Sequence, residues 1–170
     1  MKSKAKLLGH PLHQMLVPLP FGLLAGAVIF DLIYLAWSNN PMMIVVSYWL
    51  IVAGIVGGII AAPFGLIDYF AIPSGTRAKS VGRLHGLGNV VVLLLFVGSW
   101  WLRYTAPGTS DVHIPGTLAL ALSFAGVVLA AVTGWLGGEL VDRLGVGVDD
   151  GAHLNAPSSL SGRGLRTGSG

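Results

Sequence analysis

Residues 81–102 read VGRLHGLGNVVVLLLFVGSWWL, and this stretch decides the fold. Its second part, from Val90 to Leu102, carries no charge and is apolar enough to enter a lipid bilayer. His85 and Asn89 both precede that run. They are one helical turn apart, so they share a face of the helix. An ionisable side chain at the edge of a membrane span is a candidate functional residue, because burying it in lipid is costly.

The composition extends this interpretation to the whole chain. Of its 170 residues, 54% are hydrophobic and only 10% are charged, whereas soluble domains usually carry about 25% charged residues. The chain has no cysteine, which excludes disulfides, thiolate-bound iron–sulfur clusters and covalently attached c-type haem. The net charge of +3 comes from basic residues near the ends of apolar runs, which indicates membrane topology and no nucleic-acid partner.

Four stretches are apolar over about 20 residues, the length that a membrane-spanning helix needs. We predict spans at residues 15–37, 45–67, 84–102 and 117–139. The expected fold is therefore all-α, an integral membrane four-helix bundle. We divide the chain into an N-terminal interfacial segment (1–14), a transmembrane domain (15–148) and a polar, disordered tail (149–170), because the tail has little to bury.

Two signals predict the same orientation. Basic residues, which favour the cytoplasmic side, precede the first span or lie between the second and third: Lys2, Lys4, Lys6, Arg77, Lys79 and Arg83. Aromatic residues suited to a membrane interface collect at the opposite ends of the spans: Tyr34, Trp37, Tyr48, Trp49, Trp100, Trp101 and Tyr104. We therefore expect both termini in the cytoplasm.

Pairs of glycines four residues apart occur in every span: Gly22/Gly26, Gly54/Gly58, Gly82/Gly86 and Gly134/Gly138. Such pairs let helix backbones approach closely in lipid. They predict a tightly packed bundle, a homo-oligomer, or both.

Every predicted helix brings an ionisable residue to the cytoplasmic end: His10, His13, Asp68, His85 and Glu139. In a first interpretation, two histidines hold a haem b iron, as is common in helix bundles. The pair is then His85 with His13, or with His10 in its place, and Gly86 and Asn89 line the cofactor.

Two other interpretations of the same residues remain open. All five side chains could together bind zinc, iron or manganese through nitrogen and oxygen ligands, although no HExxH or ExxH spacing supports such a site. Alternatively they only cap helices and form surface pairs at the lipid headgroups. His113 and His153 lie in a loop and the tail, and we assign them no role.

Asp31 is separate from this group, inside the first span near its outer end. A lone buried carboxylate must be protonated or paired, and Arg103 is the nearest candidate at that end. We expect a structural Asp–Arg or Asp–Tyr contact in preference to proton uptake.

Six short motifs resemble one known family: GHPLH (9–13), PLPFG (18–22), GLIDY (65–69), LHGLGNV (84–90), GWLGGELV (134–141) and GVGV (145–148). The chain is similar over about residues 7–148 to the bacterial four-span membrane proteins called domain of unknown function 2231. The resemblance implies a multi-pass protein of the bacterial cytoplasmic (inner) membrane. Members that continue into a Rieske-type iron–sulfur domain imply an electron-transfer setting, but this chain lacks that extension.

The closing motif departs from the family. Members often have Tyr-Arg-His before the Gly-Val-Gly-Val, whereas this chain has Asp142-Arg143-Leu144, so no second haem is expected there. We predict a membrane protein that binds haem b or another metal for electron transfer, with no enzymatic activity of its own and with an iron–sulfur or other redox protein as partner. The alternative is a non-catalytic structural protein, or one that handles a small solute or ion, without a cofactor.

Overall fold

Four long apolar helices make up the protein, as the sequence predicts. The computed structural model describes residues 1–38, 40–106 and 112–161. The helices long and apolar enough to cross a membrane are Leu12–Trp37, Pro41–Ala71, Arg77–Tyr104 and Thr117–Arg143. The all-α, four-span fold is confirmed, whereas the orientation of the termini stays a prediction.

The first span contains α1 (Leu12–Leu16), α2 (Pro18–Ile33) and a π-helical turn (Tyr34–Ser38). The second and third spans are the single helices α3 (Pro41–Ala71) and α4 (Arg77–Tyr104). The fourth contains α5 (Thr117–Gly138) and a π-helical turn (Glu139–Arg143). Before α1, the short strands β1 (Lys6–Leu7) and β2 (His10–Pro11) pair antiparallel.

Helices α3 and α4 begin earlier than the predicted spans, because a polar residue caps the start of each helix. The Asn40 side chain accepts a hydrogen bond from the Met42 amide at 3.0 Å. The Thr76 hydroxyl accepts one from the Lys79 amide at 3.1 Å. Such caps satisfy free amides at a helix start, but they are polar and so lie outside an apolar window.

The helices pack as two hairpins, α2 against α3 and α4 against α5. The buried core between them contains Leu24, Ala27, Val28, Ile51, Val92, Phe96 and Ala130. Gly54 and Gly58 on α3 give room to Leu24 and Leu93, because a Cβ at either glycine would lie 2.6–2.7 Å from those side chains. This glycine pair therefore packs helices within one chain.

The two hairpins repeat each other at an offset of 72 residues. Asp31 and Arg103, which are 72 residues apart, bond to each other. At the same offset, the buried side chains of Leu24 and Phe96 lie against Gly54 and Gly126, respectively. The bundle is thus built from two similar halves, and residues at this offset are called counterparts below.

The end of the bundle away from the termini is held by one buried arginine. The Arg103 guanidinium donates to both carboxylate oxygens of Asp31, at 3.0 and 2.6 Å, and both side chains are fully buried. It also donates to serine hydroxyls on the other helices and its own: Ser47, Ser99 and Ser123. Arg103 therefore joins all four spans, and the expected Asp–Arg contact is present.

At the opposite end, the N-terminal segment is bonded to the chain that follows α5. The Met1 amino group donates to the Gly145 carbonyl at 2.7 Å, and the Gly147 amide donates to the Met1 carbonyl at 2.9 Å. The Lys6 ammonium pairs with Asp149 at 2.5 Å. Residues 149–161 contain short turns, while 162–170 lie outside the described residues, so the predicted disorder of the tail stays a prediction.

Candidate functional site

A histidine near the start of each half of the bundle bonds to a backbone carbonyl of the partner helix in its hairpin. Nδ1 of His13 lies 3.0 Å from the carbonyl oxygen of Ala61 on α3. Nδ1 of His85 lies 2.8 Å from the carbonyl oxygen of Thr133 on α5. Because a carbonyl only accepts, Nδ1 is the donor in both contacts, and in a neutral imidazole Nε2 is then the nitrogen with the lone pair.

Each ring lies against a glycine one turn beyond the carbonyl that it contacts. A Cβ at Gly65 would come within 2.7–3.1 Å of the His13 ring. A Cβ at Gly137 would lie 3.2 Å from the His85 ring. The missing side chains let both imidazoles reach the partner helix. Gly65 and Gly137 are therefore positioning residues, and they are counterparts at the 72-residue offset.

The two imidazoles meet between the hairpins. Their ring centroids are 6.3 Å apart, and their planes are nearly perpendicular at 89°. Both side chains are partly buried. Of the histidines proposed as a pair, the structure thus brings together His13 and His85.

Asn89 adds a second contact to His85. Its Nδ2 donates to the His85 carbonyl at 2.9 Å and lies 3.2 Å from Nε2 of the His85 ring. Its Oδ1 accepts from the Thr133 hydroxyl at 3.0 Å. The predicted proximity of Asn89 and His85 on one helix face is thus confirmed, and Thr133 joins them.

The other proposed ligands have different partners. Asp68 accepts hydrogen bonds from the Ser3 hydroxyl at 2.8 Å and from the Lys4 amide at 2.7 Å. Glu139 pairs with the exposed Arg77 at 2.8 Å. His10, on β2, contacts the Ser159 hydroxyl at 3.4 Å.

The five-residue metal site is consequently not assembled. Within residues 1–38, 40–106 and 112–161, no three or more histidine, aspartate or glutamate side chains are placed to hold one metal ion. Asp68 anchors the N-terminal segment. Glu139 belongs to a surface ion pair, as in the interpretation that these residues only cap helices and form surface pairs. The histidine pair is what remains of the predicted cluster.

His113 and His153 contact residues outside the histidine pair, and Gly86 follows His85 directly in the chain. His113 stacks on Tyr48 with ring centroids 4.3 Å apart, and Nδ1 of His153 accepts from the Asn155 amide at 3.3 Å. A Cβ at Gly86 would meet no other described atom within 4 Å. Gly86 is exposed, so it lies at the outer surface of α4.

Sequence reasoning missed Ala61, Gly65, Thr133 and Gly137. Two of them contribute backbone carbonyls and two contribute the absence of a side chain, which no chemical motif reveals. The internal repeat was the available signal, because Leu12-His13 and Leu84-His85, and likewise Ala53-Gly54 and Ala125-Gly126, recur at the same offset.

These observations define a four-span membrane protein with a histidine pair between two similar helical hairpins. The chain belongs to the family described as Predicted membrane protein (DUF2231), whose model matches residues 9–150. This match confirms the resemblance carried by the sequence motifs. No curated protein and no solved structure matches the chain.

Proposed function

We propose that this protein binds a haem b iron between His13 and His85 and serves membrane electron transfer as a redox subunit or partner. The observation that carries the proposal is the facing pair of imidazoles with the same tautomer. In each ring the Nδ1 proton is given to a backbone carbonyl, which is the outer contact that metal-binding histidines usually make. Nε2 is then the ring atom that would coordinate, and in His85 this atom also lies 3.2 Å from Nδ2 of Asn89.

The distance between the rings fits one shared metal ion. Two imidazoles that each bind one metal ion through a nitrogen at about 2.0–2.1 Å would have to lie within several ångströms of each other. The observed separation is 6.3 Å. Gly86 is exposed and has no side chain, so it leaves the surface of α4 beside His85 uncovered.

The number of protein ligands favours haem over a zinc site. Catalytic zinc sites take three protein ligands and structural sites take four, but the described residues offer only this pair at the proposed position. A haem iron needs no more than two protein ligands, because the porphyrin supplies the others. When bound, the haem would supply one-electron chemistry, and His13 and His85 would hold it while the apolar helices exclude water.

The test is a titration of the detergent-solubilised protein with hemin, followed by absorption spectra before and after dithionite. We expect a Soret band that shifts on reduction and that is lost or strongly weakened in His13→Ala and in His85→Ala. His10→Ala is the matched control and keeps the band. Circular dichroism shows which variants remain folded.

Two results would contradict the proposal. One is a wild-type protein that gives no Soret shift with hemin; stoichiometric zinc, iron or manganese by elemental analysis would then point to another metal. The other is a Soret band that persists in both folded histidine variants. A folded protein free of haem and metal would support the structural alternative.

The orientation is part of the proposal. We place the histidine pair near the cytoplasmic side of a bacterial inner membrane, because six basic residues precede the first span or surround the link between α3 and α4. The cysteine-free chain allows single-cysteine labelling. In intact cells we expect an impermeant thiol reagent to label Thr105→Cys and not Ser74→Cys, and the reverse pattern would invert the topology.

A further inference from the structure

The two halves of the bundle differ in the residues next to their histidines. One helical turn after His85 is Asn89, whereas one turn after His13 is Val17. The carbonyl that holds His85 belongs to Thr133, whereas the one that holds His13 belongs to Ala61. The second half therefore has an amide and a hydroxyl where the first has only apolar side chains.

The amide of Asn89 is fixed in orientation by two hydrogen bonds. Its Nδ2 donates to the His85 carbonyl at 2.9 Å, and its Oδ1 accepts from the Thr133 hydroxyl at 3.0 Å. Exchanging nitrogen and oxygen would place oxygen against the His85 carbonyl oxygen, so the orientation is determined. The second Nδ2 hydrogen is then free for Nε2 of His85, 3.2 Å away.

The two Nε2 atoms therefore differ in whether they accept a hydrogen bond. Nε2 of His85 accepts a hydrogen bond from Asn89, and this uses the lone pair that metal coordination requires. No hydrogen bond reaches Nε2 of His13 from any residue in the described part of the chain. His13 is ready to coordinate, whereas His85 must first lose a partner.

We propose that Asn89 is a gate on His85: in the unliganded protein it holds Nε2 of His85, and it releases this atom only when His85 coordinates. This inference rests on the proposed haem site. It sets an order, in which His13 engages the cofactor first and His85 second. While Asn89 holds His85, His13 alone of the pair would hold the cofactor.

The chain itself supplies the matched substitutions. Asn89→Val gives the second half the residue that its counterpart Val17 provides in the first half. The Thr133 hydroxyl keeps an acceptor in this variant, the Ala130 carbonyl at 3.1 Å. Val17→Asn places an amide one turn after His13, where it can donate to the other ring, but Ala61 supplies no hydroxyl like the one that Thr133 donates to Asn89.

Hemin titration gives opposite expectations for the two variants. A hydrogen bond contributes about 1 kcal/mol net, which corresponds to about fivefold in affinity. We therefore expect Asn89→Val to bind hemin about fivefold more tightly than wild type, with a larger two-histidine fraction in the absorption spectrum. Val17→Asn is expected to bind more weakly by a similar factor.

A measurement without cofactor tests the gate directly. The ¹⁵N chemical shift of Nε2 in His85 reports whether this atom accepts a hydrogen bond, and we expect it to move in Asn89→Val while the shift of Nε2 in His13 stays unchanged. A change in fold stability alone would not produce this signature.

The outcomes separate this inference from the proposed function. If wild type binds hemin but Asn89→Val binds it equally or more weakly, the gate is overturned and the haem site stands. An unmoved ¹⁵N shift in the variant also overturns the gate. If wild type does not bind hemin, the haem site fails and the gate fails with it.

Discussion

Removing the charge of Asp31 tests how the four spans are held together. Asp31 and Arg103 are both fully buried, with a nitrogen–oxygen distance of 2.6 Å. Asp31→Asn keeps the shape of the side chain and leaves the guanidinium without its counter-charge. Breaking a buried ion pair from one side costs about 3–5 kcal/mol, so we expect the free energy of unfolding to fall by about that amount.

The double variant Asp31→Leu/Arg103→Met separates the ion pair from simple packing. Replacing a whole buried pair with apolar residues is often neutral or stabilising. Ser99 and Ser123 keep backbone acceptors, since both hydroxyls donate to the Ala119 carbonyl, at 2.7 and 3.2 Å. We therefore expect the double variant to be more stable than Asp31→Asn.

The assay is reversible unfolding in mixed micelles with increasing SDS, followed by circular dichroism. The single variants Asp31→Leu and Arg103→Met and the double variant form a thermodynamic cycle, and Asp31→Asn is measured beside them. A loss of unfolding free energy below about 1 kcal/mol in the single variants is typical of an exposed ion pair. This result would contradict the conclusion that the buried Arg103 holds the four spans together. So would a double variant whose loss equals the sum of the single losses.

Two further predictions concern the other end of the bundle. Gly65→Ala places a methyl group against the His13 ring, so we expect a loss of about 1–3 kcal/mol in unfolding free energy and weaker hemin binding. Gly22→Ala is the control, because a Cβ there would meet no described atom within 4 Å. We expect it to change neither the stability nor the hemin binding. The second concerns pH: the Lys6 ammonium, through its hydrogen bond, holds the pKa of Asp149 below its usual value. The Lys6–Asp149 contact therefore stabilises the fold above the usual aspartate pKa of about 3.9 and is lost as pH falls below it. Hydrogen-exchange protection around Lys6 should fall over that range in wild type and fall less in Asp149→Asn.

The four spans could be predicted because lipid imposes a simple condition, a run of about 20 apolar residues. The starts of α3 and α4 could not be placed by the same rule. They depend on Asn40 and Thr76, whose side chains cap the helices, and capping residues are polar. The Asp31–Arg103 contact was predictable, because two opposite charges buried at one end of a bundle have few other partners.

The histidine end was predicted only in part. The sequence favours His13 as the partner of His85, with His10 as its replacement, and the pairing of β1 with β2 carries His10 to Ser159 instead. Asp68 receives hydrogen bonds from backbone amides of the N-terminal segment, and any residue type could supply those amides. Contacts made by backbone atoms leave no mark in a sequence, which explains why Asp68 was grouped with the histidines.

The electron paramagnetic resonance spectrum of the hemin-loaded protein tests the central claim most directly. The planes of His13 and His85 are nearly perpendicular, at 89°. Perpendicular imidazoles on one ferric iron give a strongly anisotropic low-spin signal with one large g value. We predict this signal in wild type and its absence in His13→Ala and His85→Ala. A high-spin signal only, or a low-spin signal that survives both substitutions, would contradict coordination by this pair.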